Sequence, residues 1–247
     1  MTRRETFEQD GFVAVPNFCG AEQLAGIEDA LRRFMSRRLI ELPSEHVFFE
    51  DTTDPSTLKQ IQRLHNHDEF FGAFMAGAPR RLAEELLGEP VVGKNLQYFN
   101  KPPAIGQATP PHQDGFYFML EPCRALTMWM ALDVVDAENG CVRYVRGSHT
   151  RGMRPHGRTE TLGFSQGIID FGQPVDSENE VACPAQPGDL LVHQALTIHR
   201  ADANASATRN RRALGFIFYA ESARENVAAH EAYQAELATE LAAAGKI

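Results

Sequence analysis

The sequence predicts a mainly β fold with flanking helices, a single double-sheet jelly roll. Three observations predict it. Residues 1–90 carry helical apolar periods, residues 91–220 carry strand-like runs separated by turn signals, and residues 221–247 return to a helical composition. With about eight strand-like segments and no linker or internal repeat, the 247 residues read as one domain rather than two. The expected organisation is a helical part over 1–90 packed on a core over 91–220, with a lid over 150–180 and a terminal helix over 221–247.

The elements follow in order. Phe12-Val13-Ala14-Val15 is a short strand ended by Pro16. Residues 21–40 place Leu24, Ile27, Leu31, Phe34 and Met35 on one helical face. Residues 41–55 are polar and irregular. Residues 57–64 and 69–87 read as two helices, the second closed by Gly88. Residues 91–99 are a strand, broken by Lys101-Pro102-Pro103. Residues 125–135 are a long strand of bulky apolar groups. Asn139-Gly140 is a hairpin signal joining it to a strand over 141–145. Residues 151–179 are polar, glycine-containing and without clear period, as in a loop over a site. Pro187-Gly188-Asp189 turns the chain into a strand over 190–198, and residues 212–220 form the last one.

Bulk properties exclude several partners. A net charge of −9 and a pI near 5.5 argue against nucleic acid or an anionic membrane surface. No run of eighteen apolar residues spans a bilayer, and the arginines near the N-terminus precede no apolar stretch, so neither a membrane span nor a signal peptide is expected. Cys19, Cys123, Cys141 and Cys183 lie far apart with no CxxC spacing, which indicates free thiols in a reducing compartment, the cytoplasm.

The chemistry centres on His112-Gln113-Asp114. On a strand, positions i and i+2 share a face, so an imidazole and a carboxylate reach one ion together. A third ligand from a distant strand completes a two-histidine, one-carboxylate triad. Such a triad leaves positions open on iron(II) for a bidentate co-substrate and O2. Among the nine histidines, His65 and His67 read as surface polar residues, His149 as a residue bonding backbone at a corner, and His230 as a helix-surface group. His193 and His199 lie an even number of residues apart on one expected strand, and spacing does not separate them. The segment after His199 does. A polar turn leads to Arg211 and Arg212 at the start of the next strand, and an arginine there offers a bidentate fork for the distal carboxylate of 2-oxoglutarate. The two arginines point to opposite faces, so only one serves.

These residues have a familiar order. Asn100-Lys101-Pro102-Pro103, Pro111-His112-Gln113-Asp114, Asn139-Gly140-Cys141, Gly147-Ser148-His149, Gly188-Asp189 and the His199, Asn204 and Arg211 segment resemble the phytanoyl-CoA dioxygenase family over residues 7–220. The resemblance implies a double-stranded β-helix, cupin-like core and an oxygenase dependent on iron(II), 2-oxoglutarate and O2. It implies His112, Asp114 and His199 as iron ligands and Arg211 as the anchor for 2-oxoglutarate. The family's arginine usually lies one residue nearer the histidine, which keeps Arg212 as the alternative. Gln97 and Trp129 match strand positions that contact the co-substrate in relatives. Related halogenases lack the carboxylate ligand; Asp114 is present, so hydroxylation with release of succinate and CO2 is the expected outcome.

The expected substrate is a small organic molecule, acidic or partly apolar. Arg151, Arg154, His156 and Arg158 in the lid offer charge for an anion. Phe116 with Phe118, or Tyr117 with Met119, offer an apolar wall if strand alternation holds. Two other readings are a cupin-like metal enzyme that does not use 2-oxoglutarate, and a non-catalytic metal- or ligand-binding module. Oligomeric state is left open.

Overall fold

Alternation along the central strands sets the architecture. The computed structural model describes residues 1–159, 161 and 165–243. In chain order, helix α1 (Arg3–Asp10) is opened by a Thr2/Glu5 capping box and closed at Gly11. Strand β1 (Phe12–Val15) and helix α2 (Ala21–Arg37) follow, the helix burying Ile27, Ala30, Leu31 and Phe34. Next come β2 (Val47–Phe49), β3 (Leu58–Ile61), α3 (Leu64–His67), α4 (Glu69–Ala76), α5 (Ala78–Leu87) and β4 (Val91–Phe99). Then come β5 (Thr109–His112), α6 (Gly115–Phe118), β6 (Leu120–Glu121), β7 (Ala125–Ala131) and β8 (Val142–Val145). The chain continues through β9 (His156–Arg158), β10 (Gln166–Ile168), α7 (Pro174–Asn179), β11 (Glu180–Cys183), β12 (Leu190–Gln194), β13 (His199–Ala201), β14 (Ala213–Ala220), β15 (Arg224–Glu225) and α8 (Val227–Ala243).

Among the described residues the major sheet runs β1-β12-β7-β14-β4-β3-β2 and the minor sheet β11-β8-β13-β5, with every pairing antiparallel. Both faces of the major sheet are covered. Leu126, Met128 and Met130 of β7, Leu190 and Val192 of β12, and Leu214, Phe216 and Phe218 of β14 pack outward on Ile27, Leu31, Phe34, Phe71, Leu82 and Leu86 of the helices. The intervening residues face the minor sheet, where Trp129, Ala131, Leu191 and Ala213 meet Val142, Tyr144 and Cys183. This is the expected jelly roll with flanking helices. It explains why its central strands read as nearly continuous apolar runs: a strand covered on both sides loses the polar half of its period. The polar exceptions on inward positions, Thr127 and His193, therefore mark the site.

Several local expectations are corrected. Residues 57–64 are not a helix: Leu58–Ile61 is a strand with all four residues buried, held between β2 and β4. Long-range pairing overrides helix propensity there. Residues 69–87 are two helices, separated at Gly77, with a proline in the first turn of the second. The irregular stretch 41–55 contains strand β2. Asn139-Gly140 does not join paired strands, because β7 and β8 lie in different sheets. Asn139 instead ties the crossover, accepting from the Asp136 amide at 2.8 Å and donating to the Val134 carbonyl at 2.9 Å. Residues 190–198 are not one strand: β12 ends at Gln194 and His199 begins β13 in the other sheet. The described residues of 150–180 hold the β9/β10 ladder and α7; residues 160 and 162–164 of that expectation lie outside the described residues. The terminal helix begins at Val227, later than expected; residues 244–247 of that expectation lie outside the described residues.

Candidate metal centre

His112 ends β5 and His199 starts β13, and the two are directly paired across the ladder. Paired positions share a face, which brings their ring centres to 4.1 Å. His112 Nδ1 donates to the Pro110 carbonyl at 2.8 Å and His199 Nδ1 to the Thr197 carbonyl at 3.0 Å. A carbonyl only accepts, so both rings carry their proton on Nδ1 and turn a bare Nε2 toward each other's side.

Asp114 reaches the same point by a different route from the one expected. The strand ends at His112, and Asp114 has helical backbone angles at the start of α6. Its Oδ1 nevertheless lies 3.4 Å from His112 Nε2 and 3.7 Å from His199 Nε2. One ligand atom from each of the three residues lies within 4.8 Å of the others. The other oxygen, Oδ2, accepts from the Thr127 hydroxyl and from His193 Nε2, the latter at 3.1 Å. Burial alone would raise the Asp114 carboxyl. His199, His112 and His193 around it overturn that effect and hold it well below the usual carboxylate range. Burial, then His112 and His193, push His199 well below the ordinary histidine value, which keeps a lone pair available at neutral pH. Two bare imidazole nitrogens and one carboxylate oxygen form a donor set that suits a divalent transition metal such as iron(II).

The cluster borders a cavity of about 1000 Å³. Arg211 lines it from just before β14, 4% exposed, with Nε donating to the Gly140 carbonyl at 3.1 Å and the guanidinium 5.1 Å from the Trp129 ring centre. Burial pushes its pKa down to about 10. Arg212 points the other way, to Asp133 at 2.7 Å and Glu28 at 2.9 Å. Gln97 is buried on the cavity wall, its Oε1 accepting from Gln60 Nε2 at 2.6 Å. The fold thus brings His112, Asp114, His199, Arg211, Gln97 and Trp129 to one cavity and leaves Arg212 outside it.

Other expectations fare differently. His193 is not on the strand of His199, yet it joins the cluster from β12, its ring centre 4.2 Å from that of His199. Sequence patterns do not single out Thr127 and Tyr144; a lone threonine among the apolar residues of β7 is the one available signal. Neither strand alternation after Asp114 holds, because α6 is helical and sends the successive residues Tyr117 and Phe118 to the cavity. Of the four lid groups, Arg158 lines the cavity. Arg154 is engaged by Asp176 and Asp170, each at 2.8 Å, and His156 accepts from the Gln113 amide at 3.1 Å. Arg151 is exposed. His149 bonds backbone as expected, at 3.0 Å from the Glu8 carbonyl.

The sequence profile of the family described as phytanoyl-CoA dioxygenase (PhyH) matches residues 7–213. The chain belongs to the phytanoyl-CoA dioxygenase family. Among family members, the peroxisomal phytanoyl-CoA dioxygenase of Bos taurus is 22% identical over 83% of this chain and 64% of its own length. The phytanoyl-CoA dioxygenase domain-containing protein 1 homolog of Caenorhabditis briggsae is 25% identical over 82% of this chain and 85% of its own. The chain thus spans just under two thirds of the bovine protein. Among solved structures, EvdO2 from Micromonospora carbonacea var. aurantiaca, complexed with 2-oxoglutarate, superposes with a TM-score of 0.70 at 26% identity, covering 90% of this chain and 91% of that one. EctD from S. alaskensis with bound Fe superposes with a TM-score of 0.75 at 19% identity over 90% of this chain and 77% of that one, a likeness of fold. No described helix is long and apolar enough to cross a membrane.

Proposed function

We propose that this chain is an iron(II)- and 2-oxoglutarate-dependent dioxygenase that hydroxylates a small organic molecule. His112, Asp114 and His199 are its iron ligands and Arg211 anchors the distal carboxylate of the co-substrate. One observation carries the reading: a two-imidazole, one-carboxylate donor set and a buried guanidinium, unpaired with any carboxylate among the described residues, line the same cavity. A metal enzyme without 2-oxoglutarate would not need a buried guanidinium beside the last ligand strand.

Bound iron(II), with 2-oxoglutarate and O2, supplies the oxidising chemistry, in which the keto acid leaves as succinate and CO2 and one oxygen atom enters a substrate C–H bond. The chain's own residues bind and orient. The backbone carbonyls of Pro110 and Thr197 fix the two ligand tautomers. Arg211 offers a fork for a carboxylate, with Trp129 backing its cationic face and Gln97, steadied by Gln60, on the adjoining wall. Family membership and the complex of EvdO2 with 2-oxoglutarate support the co-substrate. The retained Asp114 favours hydroxylation over halogenation. The continuous outer core from α2 to β14 supports one domain over the chain, and the four free cysteines support a reducing, cytoplasmic setting.

Anaerobic addition of iron(II) and then 2-oxoglutarate should produce a weak visible charge-transfer band in the wild type and none in Asp114→Ala. Metal binding with no response to 2-oxoglutarate would instead indicate the cupin-like alternative or a binding module. Coupled succinate release retained in Asp114→Ala would sink the ligand assignment.

A further inference from the structure

The fold treats the two oxygens of Asp114 differently. Oδ1 faces Nε2 of His112 and of His199 at 3.4 and 3.7 Å. Oδ2 is turned to the major sheet, where the Thr127 hydroxyl and His193 Nε2 meet it. His193 is thus a third imidazole within the cluster, and its hydrogen bonds set it apart from the other two. An ionised carboxylate only accepts, so His193 Nε2 carries the proton. Its Nδ1 is then the acceptor for the Tyr144 hydroxyl at 3.0 Å. His112 and His199 have the opposite tautomer, fixed by backbone carbonyls. Tyr144 has no freedom to release the lock: it is fully buried and stacked on Phe12, ring centres 4.6 Å apart. Phe12 in turn lies opposite His193 across the β1/β12 ladder.

We propose that His193 is a positioning residue that holds Asp114 as a one-oxygen ligand. Its Nε2–H, with the Thr127 hydroxyl, occupies Oδ2 and keeps that oxygen from turning into the metal site. A carboxylate binding through both oxygens would fill a position that a bidentate keto acid needs. The same proton keeps His193 itself from serving as a ligand. The inference rests on the iron reading above and deepens it.

The test uses the cobalt(II)-loaded full chain, whose visible band grows weaker as coordination number rises, together with a 2-oxoglutarate titration of that protein. His193→Leu removes the donor and keeps the bulk; His193→Gln keeps an N–H near the position of Nε2. In His193→Leu the visible band should weaken and 2-oxoglutarate affinity should fall about ten-fold, the lower end of losses seen when such supporting bonds are cut. His193→Gln should keep both within about two-fold, a rescue that a purely structural role does not predict. If His193→Leu does not fold, His193→Met, which also lacks a donor and is unbranched at Cγ, takes its place and should shift the band the same way. Band and affinity equal to wild type in the folded donor-less variant, or equal loss in His193→Gln and His193→Leu, overturn the role of His193. A wild-type protein that binds no cobalt(II) at all instead overturns the iron reading, so the two failures are distinct.

Discussion

The guanidinium of Arg211 lies over the face of Trp129, 5.1 Å from its ring centre. Its single described hydrogen bond goes to the Gly140 carbonyl, and among the described residues no carboxylate pairs with it. The neighbouring arginine lives in the opposite situation. Arg212 donates to both oxygens of Asp133 and to Glu28 on α2. Successive positions just before β14 thus separate a guanidinium that faces the cavity from one engaged in holding a helix to the sheet.

Arg211→Met should therefore weaken 2-oxoglutarate binding by about 100-fold, the scale of losing a charge-assisted bidentate contact worth about 1.5–3 kcal/mol. Arg212→Met should leave that affinity within about two-fold and lower stability by about 1 kcal/mol, as expected for a partly exposed ion pair. Titration of the metal-loaded variants with 2-oxoglutarate, beside urea unfolding of each, separates the two. A large affinity loss in Arg212→Met alone would reassign the anchor.

Gly140→Ala should destabilise the protein by about 1–3 kcal/mol, the usual cost of forcing a side chain into left-handed backbone. Gly140 has φ +82, and a Cβ there runs into the Asp202 carbonyl oxygen. The Gly140 carbonyl is also the acceptor for Arg211, so 2-oxoglutarate affinity should fall with stability. An urea midpoint unchanged from wild type would show that the crossover adapts.

Phe216→Ala should cost about 3–5 kcal/mol, because a large ring leaves a closed core. Phe216 is fully buried between β14 and the helices, edge-on to Phe74 at 5.5 Å. It faces away from the cavity. Cobalt(II) affinity of the folded variant at low temperature should therefore stay close to wild type while the thermal midpoint falls.

Alkaline pH should destabilise the fold through its thiols. Burial pushes Cys19 and Cys123 up to about 11 and Cys183 up to about 12, from 9.0. The unfolded chain releases these protons first, so the stability they contribute is complete below pH 9 and is lost as pH rises through 11–12. Unfolding free energy measured from pH 8 to 11 should fall, and Cys183→Ser should flatten the decline. Thiol labelling at pH 8 should be slow until denaturant is added. Rapid labelling of Cys19 or Cys183 in the native protein would contradict the burial argument.

Much of this organisation is legible in the sequence, and the rest fails for identifiable reasons. His112, Asp114 and His199 are found together because motif spacing, a distant strand end and a following arginine are local signals. The route is not legible: spacing places Asp114 on a strand, whereas it sits on a helical turn, since α6 breaks the alternation immediately after His112. The expected helix over 57–64 is strand β3 instead, because pairing between β2 and β4 buries Lys59 and Gln60, which no local signal records. Asn139-Gly140 has hairpin chemistry but serves a crossover between sheets, a fact of long-range topology that no dipeptide records. By spacing alone His193 is a rival ligand on a shared strand. Its actual place follows from β12 and β13 lying in two different sheets.

The pairing of His112 with His199, and of Phe12 with His193, also sets when the centre can exist. These contacts join residues far apart in the chain, and contacts of high sequence separation form late and slow folding. A growing chain holds His112 and Asp114 early, but it lacks a complete ligand set until residue 199 has been made. The three side chains that a metal would need therefore come together only when the β5/β13 ladder closes. Added metal should slow unfolding of the finished protein while leaving its early refolding phases at the metal-free rate.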